Sequence, residues 1–168
     1  MQTSSAFGRD LNDLSVLVVD DNKQARLTAS TLLRSFGCRE IREAEDGSHA
    51  LTTFYQGVPD LIILDWEMHP MNGEFFLLQL RRIGNEPFCF VPVIVLTAHA
   101  RPALIARAFE CGASQFLVKP VTPQSLLDRI QWVLQDNRRF EPAGEIYRQP
   151  TPNPSAKPEP KRNITFLG

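Results

Sequence analysis

Asp20-Asp21, Asp65, Thr97 and Lys119 each close a short apolar run: VLVVDD, LIILD, VIVLT and FLVK. Three carboxylates, one hydroxyl and one ammonium brought to a single place could bind a hard cation and a phosphoryl group. Carboxylates with carbonyls and water suit Mg²⁺ or Mn²⁺ in octahedral geometry. Like charges so close repel, which either raises a proton affinity or recruits a cation. Asp65 ends the middle run and has the place of a nucleophile whose carboxylate would become an acyl phosphate. Lys119 would offer a compact positive charge to the phosphoryl group, and Thr97 a hydroxyl donor. A cis Lys119-Pro120 bond would aim the ammonium inward, but cis is the minority form of X-Pro bonds and both forms stay open. Zinc has no site here, because His49, His69, His99 and the three cysteines lack ligand-like spacing.

Such residues act together only if the fold gathers them. From Leu14 onward, short β-branched runs alternate with longer stretches of helical period. The spacing predicts strands over 15–19, 40–44, 61–64, 91–96 and 115–118. Helices are expected over 23–36, 48–56, 73–82, 102–110 and 123–137. The second strand, flanked by charge, reads as an edge, while the third and fourth read as fully buried. Asp46 and Thr122 are good N-caps, Pro102 and Pro123 fit first helical turns, and Gly37 fits a helix end. Five strand-helix repeats make a doubly wound α/β domain. Right-handed crossovers put every strand-to-helix loop on one edge of its sheet, where polar strand ends converge on one crevice.

Bulk properties narrow the function further. The chain has 168 residues, a net charge of -1 and 43% hydrophobic residues, enough for one real core and no polyanion-binding surface. No direct DNA binding is expected. Neither a signal peptide nor an 18-residue apolar span is present, and the odd cysteines Cys38, Cys89 and Cys111 read as buried thiols, so a cytoplasmic location is expected and membrane association is not. Residues 1–13 read as a loose polar segment and 14–138 as the domain. Residues 139–168 read as a proline-rich tail that is extended or disordered. Six of the 13 prolines fall within 142–168, where basic residues exceed acidic ones. That tail either keeps the chain soluble or serves as an interaction segment.

The stretches VLVVDDNKQAR, LIILDWEMHPMNG, VPVIVLTAHA and GASQFLVKP resemble the receiver (response-regulator) domain of two-component signalling, of the chemotaxis-regulator type. The resemblance extends over residues 14–138. It implies a (βα)5 flavodoxin-like fold with parallel strand order 2-1-3-4-5. It also implies a Mg²⁺-dependent reaction in which a histidine kinase, or a histidine phosphotransfer protein, donates phosphoryl to the central aspartate. Carried onto this sequence, Asp65 is phosphorylated, and Asp20, Asp21, Asp65 and the backbone carbonyl of Glu67 hold the metal. Thr97 and Lys119 grip the phosphoryl group, and Phe116 is the aromatic that changes rotamer with Thr97. Glu67 and His99, two places after Asp65 and Thr97, flank the path of the hydrolytic water and are expected to affect dephosphorylation.

Three positions depart from the usual pattern. His69 stands where proline is common, with Pro70 next; NEPFCFVP lengthens the approach to the fourth strand; and Phe116 replaces the commoner tyrosine. No room follows the fifth helix for an output module, so the expected protein is a stand-alone receiver that catalyses only its own phosphoryl transfer and dephosphorylation. It would signal through a changed surface of the fourth helix, fifth strand and fifth helix. His99, Arg101, Ile105, Arg107, Glu110, Phe116 and Gln124 are the candidate residues of that surface, which could serve a downstream protein or a homodimer formed on phosphorylation. A phosphorelay shuttle and a non-phosphorylated scaffold of the same fold are the alternatives. An aspartyl-phosphate hydrolase is disfavoured by the lack of D-x-D-x-T and of a cap domain, and a nucleotide-binding domain by the lack of a glycine-rich phosphate loop.

Overall fold

In the computed structural model, which describes residues 2–152, the period-two alternation of the apolar runs sorts side chains onto two faces of one sheet. After a two-residue strand β1 (Gln2–Thr3) come the five central strands. They are β2 (Ser15–Val19), β3 (Glu40–Ala44), β4 (Leu61–Asp65), β5 (Val93–Thr97) and β6 (Gln115–Val118). All pairings among these five are parallel, in the order β3-β2-β4-β5-β6. Numbered among themselves, that is the expected 2-1-3-4-5. The charge-flanked β3 is indeed an edge, and every residue of β2, β4 and β5 is buried.

Helices α1 (Lys23–Ser35), α2 (Gly47–Thr53), α3 (Gly73–Leu80), α4 (Pro102–Glu110) and α5 (Pro123–Gln135) cover the two faces. Leu17, Val19, Ile62, Leu64, Val93 and Val95 point to the face packed by Ala50 of α2, Phe76 and Leu77 of α3 and Ala108 of α4. Their neighbours Val16, Val18, Leu61, Ile63, Ile94 and Leu96 point to the face packed by Leu33 of α1 and by Leu126, Ile130 and Val133 of α5. A one-residue slip in any central strand would exchange these faces, so register is strongly specified.

The helix starts carry the caps that the sequence suggests. Asp46 accepts from the His49 N–H, and Thr122 forms a capping box with Ser125 ahead of Pro123. Asn22 and Asn72 cap α1 and α3 in the same way. Several boundaries move inward: α1, α3 and α5 each stop one or two residues early, at Ser35, Leu80 and Gln135. The fourth central strand begins at Val93, because a 3-10 turn over Phe88–Phe90 takes up the longer approach. The second helix ends at Thr53 and tightens into a 3-10 turn over Phe54–Gln56.

The largest departure lies outside the five repeats. Residues 2–13 are not loose: the Ser5 N–H donates to the Phe90 carbonyl, the Gly8 N–H to that of Leu134, and Ala6 is fully buried. Nor is residue 139 the start of an unstructured tail. Strands β7 (Arg139–Ala143) and β8 (Ile146–Arg148) form an antiparallel hairpin turned at Gly144, and β1 pairs with β7 on its other side. Gly144 has φ +66°, a conformation that glycine adopts without steric penalty. Pro142 lies beyond the reach of the short β1, which pairs only with Arg139 and Phe140. Phe90, Phe140 and Tyr147 form an aromatic cluster under this small sheet. Of the tail prolines, those at 154, 158 and 160 lie outside the described residues.

Candidate functional site

Parallel strands of matched length deliver their last residues to one edge. Asp65 is the last residue of β4 and Thr97 of β5; Asp20 directly follows β2 and Lys119 directly follows β6. The register pairs Asp65 with Leu96 and Thr97 with Val118, so these groups stand side by side across the sheet. Asp20, Asp65 and Thr97 are buried, Asp21 is exposed and Lys119 is partly exposed.

Carboxylate oxygens of Asp20, Asp21 and Asp65 lie within 4.8 Å of one another. The Lys119 Nζ donates to Asp65 Oδ1 at 3.0 Å and lies 3.5 Å from Asp20 Oδ2. The Lys119-Pro120 bond is cis. Burial pushes the Asp65 carboxyl up to about 6, with Asp20 and Glu67 adding repulsion, while the Lys119 hydrogen bond and charge act against the rise. Burial by itself would lower the Lys119 ammonium, but the Asp65 hydrogen bond and the charges of Asp65 and Asp20 outweigh it and hold the group above its ordinary value. Three carboxylates sharing one ammonium suit a divalent ion with a hard-oxygen preference, and the mutual repulsion of the carboxylates gives that ion a reason to be held.

Several residues that the strand-end pattern does not mark position these acids. The Asn22 N–H donates to Asp20 Oδ1 at 2.9 Å, and the Arg26 guanidinium donates to the Asp20 carbonyl at 2.7 Å. The His69 N–H donates to Asp21 Oδ2 at 3.2 Å. Proline at position 69 would have no such hydrogen to give, so the departure from the usual pattern supplies a tether for Asp21. Gly73 starts α3 against the same loop. A Cβ there would come within 2.8 Å of the Asp65 carbonyl and 2.9 Å of the Trp66 Cα, so only glycine admits this approach. Sequence carries a signal for Gly73, since it ends the Met-x-Gly turn, and none for Arg26.

Thr97 has no exposed surface, and its hydroxyl donates to Glu67 Oε1 at 2.7 Å while accepting from the His99 N–H at 3.1 Å. Glu67 and His99 thus meet through Thr97. Phe116 is half-buried and stands edge-on to Phe109 of α4, with ring centroids 5.9 Å apart. Of the expected signalling surface, His99, Arg101, Arg107, Glu110 and Gln124 are exposed and Ile105 is half-buried. Arg107 turns toward α3, where it pairs with Glu74 at 2.6 Å, and it also lies 3.5 Å from Glu110 on its own helix. No helix among the described residues is long and apolar enough to cross a membrane.

Comparison with known proteins agrees with this geometry. Residues 16–131 match the family described as "Response regulator receiver domain". The chain is 33% identical over 122 residues to the chemotaxis protein CheY of Pseudomonas aeruginosa, covering 73% of this chain and 97% of that one. It is 31% identical over 123 residues to chemotaxis protein CheY-3 of Vibrio cholerae, covering 73% and 93%. Among solved structures, Vibrio cholerae CheY4 superposes with a TM-score of 0.67 at 34% identity, over 72% of this chain and 98% of that one. A putative response regulator from Chloroflexus aurantiacus superposes with a TM-score of 0.66 at 29% identity, over 73% and 98%. The β7–β8 hairpin lies outside the family match. Members of this family catalyse only their own phosphorylation and dephosphorylation, and act with histidine kinases or phosphotransfer proteins. With its strand order, its convergent aspartates and these relatives, the chain belongs to the response-regulator receiver-domain family of two-component signal transduction.

Proposed function

We propose that Asp65 accepts a phosphoryl group from the phosphohistidine of a kinase or phosphotransfer protein, and that the product is a changed docking surface. One observation carries this reading: a buried carboxylate at the end of the central strand, with two further carboxylates within 4.8 Å and an ammonium at 3.0 Å. An Asp65 oxygen attacks phosphorus as the donor's P–N bond breaks, the electron pair leaves with the imidazole, and an acyl phosphate forms. Lys119, already divided between two carboxylates, can turn toward a phosphoryl oxygen without losing its neighbours. Asp20, Asp21, Asp65 and the Glu67 carbonyl would hold Mg²⁺ or Mn²⁺, which when bound offsets charge on the phosphoryl oxygens.

Phosphorylation adds about -1.5 to -2 charges and three strong acceptors. Thr97 is the nearest hydroxyl on the neighbouring strand and would donate to one of them. Its shift would change the packing available to Phe116 and so the surface of α4, β6 and α5, a population shift begun by one charge event. A downstream protein, or a second copy of this chain, would read that surface. Glu67 and His99, both bonded to Thr97, are placed to affect the lifetime of the acyl phosphate. Incubation with acetyl phosphate and Mg²⁺ should add one phosphoryl group to the intact mass, and none to Asp65→Ala. Absence of any gain in the unaltered protein would favour a non-phosphorylated scaffold instead.

A further inference from the structure

The Thr97 hydroxyl has one proton, and that proton is already committed. It points to Glu67 Oε1 at 2.7 Å, while the His99 carbonyl lies at the limit of hydrogen bonding, 3.5 Å. The oxygen of the same hydroxyl accepts from the His99 N–H. Thr97 is fully buried, so no water competes for it, and a bond to a carboxylate is stronger than one to a neutral acceptor. Thr97 cannot therefore donate to a phosphoryl oxygen on Asp65 while it donates to Glu67. Glu67 is itself exposed and has room to leave, and it is one of the negative charges that Asp65 feels.

We propose that the Glu67 carboxylate is a resting-state latch on the Thr97 hydroxyl, which the charge arriving at Asp65 must displace before Thr97 can turn to the phosphoryl group. The inference rests on Asp65 being the phosphoacceptor and Thr97 its donor. Glu67 is a positioning residue: it acts through Thr97 and sets how far the resting state is favoured. The trigger is electrostatic, since a phosphoryl group repels the Glu67 carboxylate and offers Thr97 an acceptor of equal or greater strength in exchange. The sequence places an acid two residues after Asp65, but only the folded chain shows that its side chain reaches across to β5.

The test is a titration of the full chain, in saturating Mg²⁺, with beryllofluoride as a non-covalent phosphoryl mimic. The fluorescence of Trp66, which adjoins Asp65, reports binding. Glu67→Ala should bind about tenfold tighter than the unaltered protein, the scale of one hydrogen bond to a charged group. Glu67→Gln should lie between them, because the amide oxygen keeps the acceptor and loses its charge. In a Thr97→Val background, Glu67→Ala and Glu67→Gln should become equal. Equal tightening by Glu67→Gln and Glu67→Ala in the presence of Thr97 would reduce Glu67 to a repelling charge and overturn the latch. No tightening in either would overturn it as well. If the unaltered protein binds no better than Asp65→Ala, the phosphoacceptor reading falls too, a result distinct from both of these.

Discussion

At the carboxyl end of the central sheet, Lys119 is divided between Asp65 at 3.0 Å and Asp20 at 3.5 Å, with its side chain 30% exposed. At the amino end, Arg81 follows α3 with no exposed surface and, among the described residues, no ion pair. Its Nε donates to the Gly112 carbonyl at 2.9 Å, and its Nη1 to the carbonyls of Cys89 at 2.8 Å and Val91 at 2.6 Å. The Phe140 ring of β7 lies over the guanidinium, 4.6 Å from its carbon. Burial pushes the Arg81 guanidinium down to about 9, which leaves it charged at neutral pH. Both ends bury charge, yet one does so among carboxylates that can be traded and the other among backbone carbonyls that cannot. The first is suited to change partners when a phosphoryl group arrives. The second ties α3 to the loops entering β5 and β6, and gives the switch a rigid base.

The hairpin belongs to that base. The Tyr147 N–H donates to the Arg81 carbonyl and the Ile83 N–H to the Glu145 carbonyl, so β8 is stitched to the end of α3. Gly112 leaves room for the arrangement, since a Cβ there would lie 2.7 Å from the Arg81 Cγ. A second buried group, Asp136, pairs with Arg138 at 2.7 Å and accepts from Gln149 at 3.2 Å, which fixes the chain leaving the hairpin.

The contrast can be broken most sharply at Arg81. Arg81→Leu would leave three buried carbonyls without a donor and should cost about 4 kcal/mol of stability, measured by denaturant unfolding. A cost below about 1 kcal/mol would mean that the amino end is not locked as described. Phe140→Ala should cost about 3 kcal/mol, by loss of a fully buried ring and of the cover over Arg81.

Substitution at the other end should have the opposite sign. Asp65 titrates at about 6 when folded, against an ordinary 3.8. The folded state therefore holds the Asp65 proton more tightly, and that contribution is complete below the ordinary value and lost as pH rises through about 6. Without divalent metal, Asp65→Asn should be more stable than the unaltered chain by about 1–2 kcal/mol at neutral pH and should lack this decline. Mg²⁺ at about a hundredfold its dissociation constant should then add about 2.7 kcal/mol to the unaltered protein and far less to Asp65→Asn. The smallest effect is expected at Arg107→Ala. Its pair with Glu74 joins side chains 47% and 36% exposed, and such pairs contribute about 0.5 kcal/mol or less.

The carboxyl end was the more legible of the two in the sequence. Continuous apolar runs that stop at Asp20, Asp65, Thr97 and Lys119 report both the strands and their polar ends, because parallel strands must be buried and their ends need not be. The amino end hides its logic. Arg81 sits in LLQLRRIG, where an arginine reads as a solvated helix end, and only the folded chain brings the loops before β5 and β6 and the Phe140 ring around it. RFEPAGEIYR does carry a hairpin signal, a glycine turn between short aromatic-bearing runs, but the prolines around it outweigh that signal in composition. The Thr97–Glu67 bond was equally hidden, since sequence spacing gives the height of a side chain in the sheet and not its direction above the strand ends.

The central claim is that Asp65, alone among the clustered acids, forms the acyl phosphate. After incubation with acetyl phosphate and Mg²⁺, borohydride reduces an acyl phosphate to the alcohol and converts its aspartate to homoserine, which peptide mass spectrometry locates. The account predicts homoserine at position 65, with Asp20 and Asp21 unchanged. Homoserine at 20 or 21, or at none of the three, would contradict it.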